Sequence, residues 1–307
     1  MRRYLPYIAI LAAMIMWAAS PIMTKVVLGV LSPLMLVTMR FMLAVLLMAF
    51  IGLICRRFPS MQGFALQRVE RKDIPLFLLC GFVQPFLYYM FETYGLQLSA
   101  SPTVSEVLLS TSPIFAPLFA WVLIREKVTL YNIAGILLST GGVVMMVLAG
   151  NSGFEMGSPW GVLLLLLAVF SAVFYTIILR RIPSVYNSLS IVFWGQLVSL
   201  LLFFPVFCIV DLPGLLSKGL PQGDWGMALG TVGYLAVCSS VIAFILYFYT
   251  IRYIGVTRAN AFNNIRPVFT ALLMLIFFDE HLPLFKWIGM ALVIVGLFIC
   301  QYRGLRN

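Results

Sequence analysis

The chain contains the same segment twice, 154 residues apart. Without a gap, residues 113–142 align with residues 267–296, and eight of these thirty positions are identical. The identical pairs are Pro113/Pro267, Phe115/Phe269, Leu118/Leu272, Glu126/Glu280, Leu130/Leu284, Gly135/Gly289, Leu138/Leu292 and Gly142/Gly296. Such a repeat indicates that two copies of one structural unit build the fold. We therefore expect the two halves of the chain to share one arrangement of elements.

Composition decides the class of protein. Hydrophobic residues make up 63% of the chain and charged residues only 10%, whereas soluble domains have about 45–50% and about 25%. A soluble globule is therefore excluded. The sequence predicts an all-α integral membrane protein.

Ten apolar runs are long enough to cross a bilayer core about 30 Å thick. They cover residues 8–30, 34–54, 74–98, 103–124, 130–149, 160–179, 189–210, 225–249, 259–278 and 284–300. Five runs fall in each half, so residues 1–150 and 157–303 are predicted to form two five-helix repeats. Because five is odd, the second repeat enters the membrane from the opposite side, and the repeats are expected to be inverted, as in many secondary transporters.

The positive charges predict the orientation. With both termini cytoplasmic, 15 of the 20 Lys and Arg residues lie inside, two lie outside and three fall within spans. This distribution follows the positive-inside rule. Short loops and the lack of a targeting extension favour a multi-pass protein of a bacterial cytoplasmic (inner) membrane.

Several classes of function are excluded or disfavoured. The connections are too short for a soluble catalytic domain, and the absence of a G-x-x-x-x-G-K-[ST] motif excludes a built-in ATP motor. One histidine and five cysteines without metal-ligand spacing predict no metal, no cofactor and no enzyme. The net charge of +10 lies at the ends of apolar runs, which indicates lipid contact rather than nucleic acid. The expected partners are the bilayer and a small-molecule substrate, with protons left open as a coupling ion, and a monomer is expected to be functional.

Polar residues inside the spans predict a central cavity. Gln84, Tyr88 and Glu92 recur at intervals of four and so form one stripe of the third span. The predicted lining also includes residues of the fourth and ninth spans and three aromatic residues, for which packing is the alternative interpretation. These residues are Glu106, Ser110, Asn260, Asn263, Trp17, Tyr175 and Tyr234.

Charged residues within a bilayer are costly and need a partner or a function. Counted at about 1.5 Å per residue, Lys25, Arg40, Glu92 and Glu106 lie at a similar depth near the outer boundary, which suggests a neutral gating or charge network. Lys25 and Arg40 alternatively serve structure alone, and the two glutamates either form a gate or bind a proton. Arg266 lies near mid-membrane and is predicted to line the cavity.

Proline occupies equivalent positions in the fourth and ninth spans, at Pro113 and Pro267. A proline inside a helix removes a backbone hydrogen bond and commonly bends the helix. Both residues are predicted to kink their helices.

An ordered set of motifs resembles a known family. The set comprises MWAASPIMTK at 16–25, MRF at 39–41, SPIFAPLFAWVLIREKVT at 112–129, AVFYTIILRR at 172–181 and TRANAFNNIRPVFTALL at 257–273, which closes on DEHLP. Together with the duplication, these motifs resemble the EamA family of the drug/metabolite transporter superfamily over essentially the whole chain.

The resemblance implies a ten-helix secondary transporter with helices three, four, eight and nine around a central cavity, and an exporter of amino acids or other small metabolites. The positions that match the family pattern are Trp17, Arg40, Pro113, Glu126, Arg258, Asn264 and Pro267. The chain departs from the pattern at Arg266, Glu92 and Glu106. These departures suggest that Arg266 pairs with a substrate carboxylate while Glu92 or Glu106 receives an ammonium group or a proton.

The predicted function is export of a small amphipathic metabolite, such as an amino acid, by alternating access. A nucleotide-sugar or sugar-phosphate exchanger is the alternative within the transporter class. A membrane sensor that binds a ligand without moving it is the alternative from another class.

Overall fold

The computed structural model describes residues 4–58, 65–99, 105, 108–109, 111–125, 128–148, 158–278 and 283–301. All regular elements within these residues are helical. The first five helices are α1 (Leu5–Val27), α2 (Pro33–Arg57), α3 (Ile74–Leu98), α4 (Ser112–Ile124) and α5 (Leu130–Leu148). The remainder are α6 (Pro159–Arg181), α7 (Ser188–Val210), the short α8 (Leu212–Lys218), α9 (Trp225–Ile254), α10 and α11 (Leu284–Gln301). Helix α10 consists of Val256–Ala261, a 3₁₀ turn at Phe262–Ile265 and Arg266–Phe278.

Six of the helices in the described part of the chain are long and apolar enough to cross a membrane: α1, α2, α3, α6, α7 and α9. Helices α4, α5 and α11 contain shorter apolar stretches. Most of residues 100–110 lie outside the described residues, so the structure gives only the later part of the predicted fourth span. The protein is an all-helical, multi-pass membrane protein, and the count of ten spans and the location of the termini stay predictions.

The helix boundaries follow from local side-chain chemistry. Ser32, Asn187 and Asp224 precede α2, α7 and α9, and each accepts a hydrogen bond from a backbone N–H in the first turn, at 2.8–3.0 Å. These bonds satisfy N–H groups that have no partner within the helix. At the end of α9, Gly255 adopts a φ of +84°, which permits the sharp connection to α10.

Helices from the two halves pack against one another in antiparallel pairs. In the pair of α1 and α9, Thr250 Oγ1 donates to Pro6 O at 3.0 Å and Tyr234 OH donates to Met16 O at 2.9 Å. A later residue of α1 thus meets an earlier residue of α9. Helices α3 and α6 pair in the same sense, because Gly161 lies against Gly95 and the Tyr175 side chain against Cys80.

The packing pairs also exchange under the 154-residue shift, which relates α1 to α6, α2 to α7, α3 to α9, α4 to α10 and α5 to α11. The contact of α1 with α9 corresponds to that of α6 with α3, and the contact of α1 with α10 to that of α6 with α4. The contact of α2 with α9 corresponds to that of α7 with α3, while α2 with α7 and α5 with α11 correspond to themselves. The interior between these pairs is where the polar residues collect.

Candidate functional site

A small cavity lies between α1, α3, α6, α9 and α10. It encloses about 50 Å³, which is room for only a few water molecules at about 10–15 Å³ each. Its wall combines a carboxylate, a guanidinium, three amides and several hydroxyls with aromatic rings. The lining residues are Trp17, Ser20, Gln84, Tyr88, Tyr89, Glu92, Leu109, Ser112, Val169, Ala172, Tyr175, Thr176, Phe244, Tyr247, Asn260, Asn263 and Arg266.

Eight of the eleven residues predicted to line a cavity share this wall. They are Trp17, Gln84, Tyr88, Glu92, Tyr175, Asn260, Asn263 and Arg266. Tyr234 does not line it, because its hydroxyl lies between α1 and α9 and donates to Met16 O. Glu106 and Ser110 lie outside the described residues.

A wide π-type turn places Gln84 at the cavity, and α9 contains a second wide turn. One spans Phe82–Leu87 in α3, and the other spans Leu235–Ile242 in α9. The first turn includes Gln84, whose φ of −151° and ψ of 124° are not helical. A shift by 154 residues superposes the first turn on the second, and π turns are frequent at functional sites.

Backbone carbonyls near these turns are bonded by side chains. Pro85 has no N–H to donate to Gly81 O in the usual helical pattern, and Ser199 Oγ donates to that oxygen at 2.8 Å. In the second turn, Trp17 Nε1 donates to Ser239 O at 2.9 Å, and Gln196 Nε2 donates to Ser240 O. The turns are thereby tied to α1 and α7.

Glu92 supplies the carboxylate of the wall. Only 9% of the residue is exposed, and Tyr88 OH, one turn earlier, donates to Glu92 Oε1 at 3.0 Å. The carboxylate also interacts electrostatically with Arg266 and Arg40. The predicted stripe of Gln84, Tyr88 and Glu92 therefore faces the cavity, and its acid lies among cations.

Arg266 supplies the guanidinium. It begins the last segment of α10, directly after the 3₁₀ turn and before Pro267. Its Cζ lies 6.0 Å from the centroid of the Trp17 ring, within the range of a cation–π contact. The side chain is 8% exposed and lies on the cavity wall. The arrangement places a cation and an anion on the wall of one cavity.

Amides of α10 line the side next to Arg266. Asn263 Nδ2 donates to Asn260 Oδ1 at 3.3 Å, and Asn260 Nδ2 donates to Val256 O at 3.1 Å and to Thr176 Oγ1 at 3.4 Å. Asn264, which matches the family pattern, turns away and donates to Ser139 Oγ of α5 at 2.6 Å. Asn260 and Asn263 therefore line the cavity, whereas Asn264 joins α10 to α5.

Backbone geometry changes next to both predicted kink prolines. The 3₁₀ turn precedes Pro267, and the Arg266 N–H donates to Asn263 O. Near Pro113, i to i−3 hydrogen bonds join Thr111 N to Leu108 O and Ile114 N to Thr111 O. The missing proline N–H explains why the α-helical pattern gives way at these points.

Arg40 lies behind the cavity wall rather than on it. Its Nε donates to Ser240 Oγ at 2.6 Å, and one terminal nitrogen donates to Tyr89 OH and Ser239 Oγ, both at 3.0 Å. Its Cζ also lies 4.3 Å from the Tyr89 ring centroid. Arg40 therefore joins α2 and α3 to the wide turn of α9 through neutral groups.

Lys25 caps the end of α3. Its Nζ donates to Leu96 O at 2.9 Å and Ser99 O at 2.8 Å. Within the described residues, neither Lys25 nor Arg40 has a carboxylate within 4.0 Å. The structure thus places these two predicted network members on carbonyls and hydroxyls instead of in direct ion pairs with Glu92.

Sequence reasoning did not select several members of the site. Ser239 and Ser240, which hold Trp17, Gln196 and Arg40, are adjacent small polar residues in an otherwise apolar span, and that pair was an available signal. Tyr247 and Phe244 line the wall and pack edge-on against Trp17 at 5.1 Å and 5.0 Å. Aromatic residues are common throughout the chain, so no pattern distinguished these two.

The described part of the chain contains no group of three or more His, Cys, Asp or Glu residues arranged to hold a metal ion. The described lining residues supply one carboxylate, one guanidinium, hydroxyls, amides and aromatic faces. Such a wall can bind a small molecule that carries both charges and an apolar part.

A family model described as "EamA-like transporter family" matches residues 5–148 and again residues 159–301. The chain belongs to the EamA-like transporter family. A solved crystal structure 17% identical in sequence shares the fold over 98% of both chains, with a TM-score of 0.75.

Proteins similar in sequence to this EamA-like chain also have names that describe transporters. The uncharacterized transporter YetK of Bacillus subtilis is 26% identical over 95% of this chain and 86% of its own. The uncharacterized inner membrane transporter YedA of Escherichia coli K12 is 26% identical over 96% and 90%. A protein of Streptantibioticus cattleyicolor named as a probable terminal-alkyne amino-acid exporter is 23% identical over 78% and 77%. Family and relatives indicate an EamA-like transporter and not an enzyme.

Proposed function

We propose that this EamA-like transporter exports a small zwitterion, such as an amino acid, by alternating access through the central cavity. The observation that carries the proposal is the presence of Glu92 and Arg266 on the wall of one cavity. Arg266 binds the substrate carboxylate, and Glu92 receives the ammonium group or a proton. Trp17 and Tyr247 offer aromatic faces to an apolar side chain.

Burial supports this assignment. Glu92 is 9% exposed and Arg266 8% exposed, and electrostatic interactions strengthen where water is excluded. The name of the Streptantibioticus cattleyicolor relative, a probable terminal-alkyne amino-acid exporter, agrees with a substrate that carries both charges.

The cavity's size supports a cycle in which the cavity widens to admit substrate. A space of about 50 Å³ is smaller than the roughly 300 Å³ at which ligand pockets usually begin. Substrate entry therefore requires the helices around the cavity to separate at one face.

Inverted repeats supply the means of separating them. The antiparallel pairing of α1 with α9 and of α3 with α6, and the exchange of packing pairs under the 154-residue shift, support two inverted five-helix units. We place both termini in the cytoplasm of a bacterial cell, as the positive charges predict. Rocking of one unit against the other would expose the cavity to each side in turn.

A sugar-phosphate or nucleotide-sugar substrate fits the wall less well. Such a ligand carries at least two negative charges and requires several cations. Arg266 is the one basic residue among the described lining residues, since Arg40 is engaged by hydroxyls behind Tyr89. The zwitterion is therefore the preferred class.

The test is efflux of labelled amino acids from proteoliposomes, with and without an imposed pH gradient. We expect saturable efflux by wild type and at least tenfold slower efflux by Arg266→Gln at subsaturating substrate, which corresponds to about 1.4 kcal/mol of lost binding. Arg181→Gln removes a surface charge remote from the cavity and is the matched control. Glu92→Gln separates the two roles of the carboxylate: a proton site loses gradient dependence, and an ammonium site loses affinity. Unchanged efflux by both cavity variants would contradict the proposed site.

A further inference from the structure

A second cavity lies at the C-terminal end of α6. It encloses about 310 Å³ between the last turns of α6 and α9 and the first turn of α7. Two arginines, Arg180 and Arg252, line it together with Ser184 and an apolar wall that includes Ile191 and Phe248. None of its lining residues belongs to the central cavity.

We propose that this cavity binds the phosphate headgroup of an anionic phospholipid, with Arg180 and Arg252 as its ligands. Both guanidinium groups are held in place by backbone carbonyls. Arg180 donates to Ile251 O at 3.2 Å, and Arg252 donates to Tyr186 O. Each guanidinium has five N–H donors, so most of the donors stay free for a phosphate.

The charge of the cavity is not balanced by protein. Within the described residues, Arg180 and Arg252 have no carboxylate within 4.0 Å, and the cavity lining contains no Asp or Glu. Asp73 is not among the lining residues, and its Oδ2 accepts a hydrogen bond from Tyr186 OH at 2.7 Å. Two cations in a partly enclosed space therefore attract an anion.

The C-terminal end of α9 carries partial negative charge, which by itself would repel an anion. Ile251 lies in the last turn of α9, where the carbonyl groups concentrate negative charge, and its oxygen already accepts a hydrogen bond from Gly255 N at 3.0 Å. The Arg180 hydrogen bond places a guanidinium on this carbonyl, and a cation thus stands between the helix end and the cavity.

The surroundings favour a lipid over a soluble anion. The apolar wall and the position at the ends of long apolar helices place the cavity at the level of the headgroups. Next to it, Tyr253 is 66% exposed and Val185 is 63% exposed, and exposed tyrosines are typical of the membrane interface. Basic pockets between membrane helices are known to bind anionic headgroups. The predicted orientation assigns this site to the cytoplasmic leaflet.

The experiment measures lipid binding to the purified full-length protein by native mass spectrometry, with phosphatidylglycerol and phosphatidylcholine in competition. Two arginines near a headgroup correspond to a preference of roughly thirtyfold for the anionic lipid. We expect the double variant Arg180→Gln/Arg252→Gln to lose this preference to within about twofold of parity. Arg181→Gln is the matched control and should retain the preference, because the Arg181 guanidinium donates to Leu123 O outside the cavity.

Two further arms keep the proposal testable if the double variant does not fold. Ser184→Trp leaves both arginines in place and fills the cavity, so it should also abolish the preference. Inorganic phosphate added to wild type distinguishes the sources of the anion: displacement of the lipid at millimolar phosphate would identify a soluble anion site and overturn the lipid assignment. Equal binding of both lipids by wild type would overturn it as well. Neither result depends on transport, so this site and the proposed function can fail separately.

Discussion

Gly135 of α5 and Gly296 of α11 lie against each other so closely that a Cβ on either residue would come within 2.6 Å of the other's carbonyl oxygen. Gly142 and Gly289 form a second pair with the same relationship, at 2.6–2.7 Å. A shift by 154 residues converts each pair into the other. The two helices are therefore antiparallel and meet through small residues, which permit close approach of membrane helices.

The glycine contact predicts a position-specific effect of alanine. In Gly142→Ala, the new methyl group would meet backbone atoms of α11, which cannot move aside without separating the helices. We expect the free energy of unfolding to fall by about 1–3 kcal/mol. Gly141→Ala is the control on the same helix, because a Cβ there meets nothing within 4 Å. Thermal unfolding of the purified protein measures both, and equal melting temperatures would contradict the contact.

Arg40 is predicted to require its planar guanidinium and not only its charge. Arg40→Lys keeps the charge but loses the fork that reaches Ser239, Ser240 and Tyr89 together. We expect a loss of about 1–3 kcal/mol of stability, measured by thermal unfolding. Tyr89→Phe removes only one acceptor and should cost less. A lysine variant as stable as wild type would show that charge alone suffices.

Lys25 is predicted to stabilise the end of α3. Lys25→Met removes the cation that hydrogen-bonds Leu96 O and Ser99 O, and we expect the free energy of unfolding to fall by about 0.5–2 kcal/mol. Lys25→Arg retains a donor and a charge and serves as the control. If both variants melted alike, the cap would contribute nothing measurable.

Gln67 is predicted to hold the two halves together at the end of the bundle that carries Arg180. Its side-chain amide donates to Val185 O at 3.0 Å and accepts from Asn187 N at 2.6 Å. Its backbone carbonyl accepts from Trp194 Nε1 at 2.8 Å. Every one of these partners belongs to the second half of the chain.

Gln67→Ala should release this connection locally. We expect amide hydrogen exchange at residues 65–70 and 185–190 to accelerate by about tenfold or more, the equivalent of roughly 1.4 kcal/mol of lost protection. The rest of the molecule should exchange as before. Arg68→Ala is the neighbouring control, and equal exchange in the two variants would contradict the role of the amide.

Much of the architecture could be predicted because its signals are carried by composition and spacing. The apolar runs gave the membrane class, and the intervals of four placed Gln84, Tyr88 and Glu92 on one face of α3. The partners of Lys25 and Arg40 could not be predicted in the same way. Charge and depth suggested carboxylates, whereas the structure satisfies these cations with carbonyls and hydroxyls that the wide turns and a helix end make available.

The position of the second turn was also beyond sequence reasoning, whereas Pro85 marks the first. A π turn alters the hydrogen-bond ladder without changing hydropathy, so Leu235–Ile242 looks like any other part of an apolar span. Ser239 and Ser240 acquire their roles only once the turn exposes their carbonyls and hydroxyls to Trp17, Gln196 and Arg40.

The two wide turns also indicate where the third membrane-spanning helix of each half, α3 or α9, can bend at a low cost in free energy. A regular helix gives up a backbone hydrogen bond, worth about 1 kcal/mol net, where it bends sharply. Side chains of other helices already donate to carbonyl oxygens at these turns, Ser199 to Gly81 and Trp17 to Ser239. A bend at these turns would therefore leave these two carbonyls with a hydrogen-bond donor. The turns occupy equivalent positions in both halves, so each half carries the same kind of weak point in its third membrane-spanning helix.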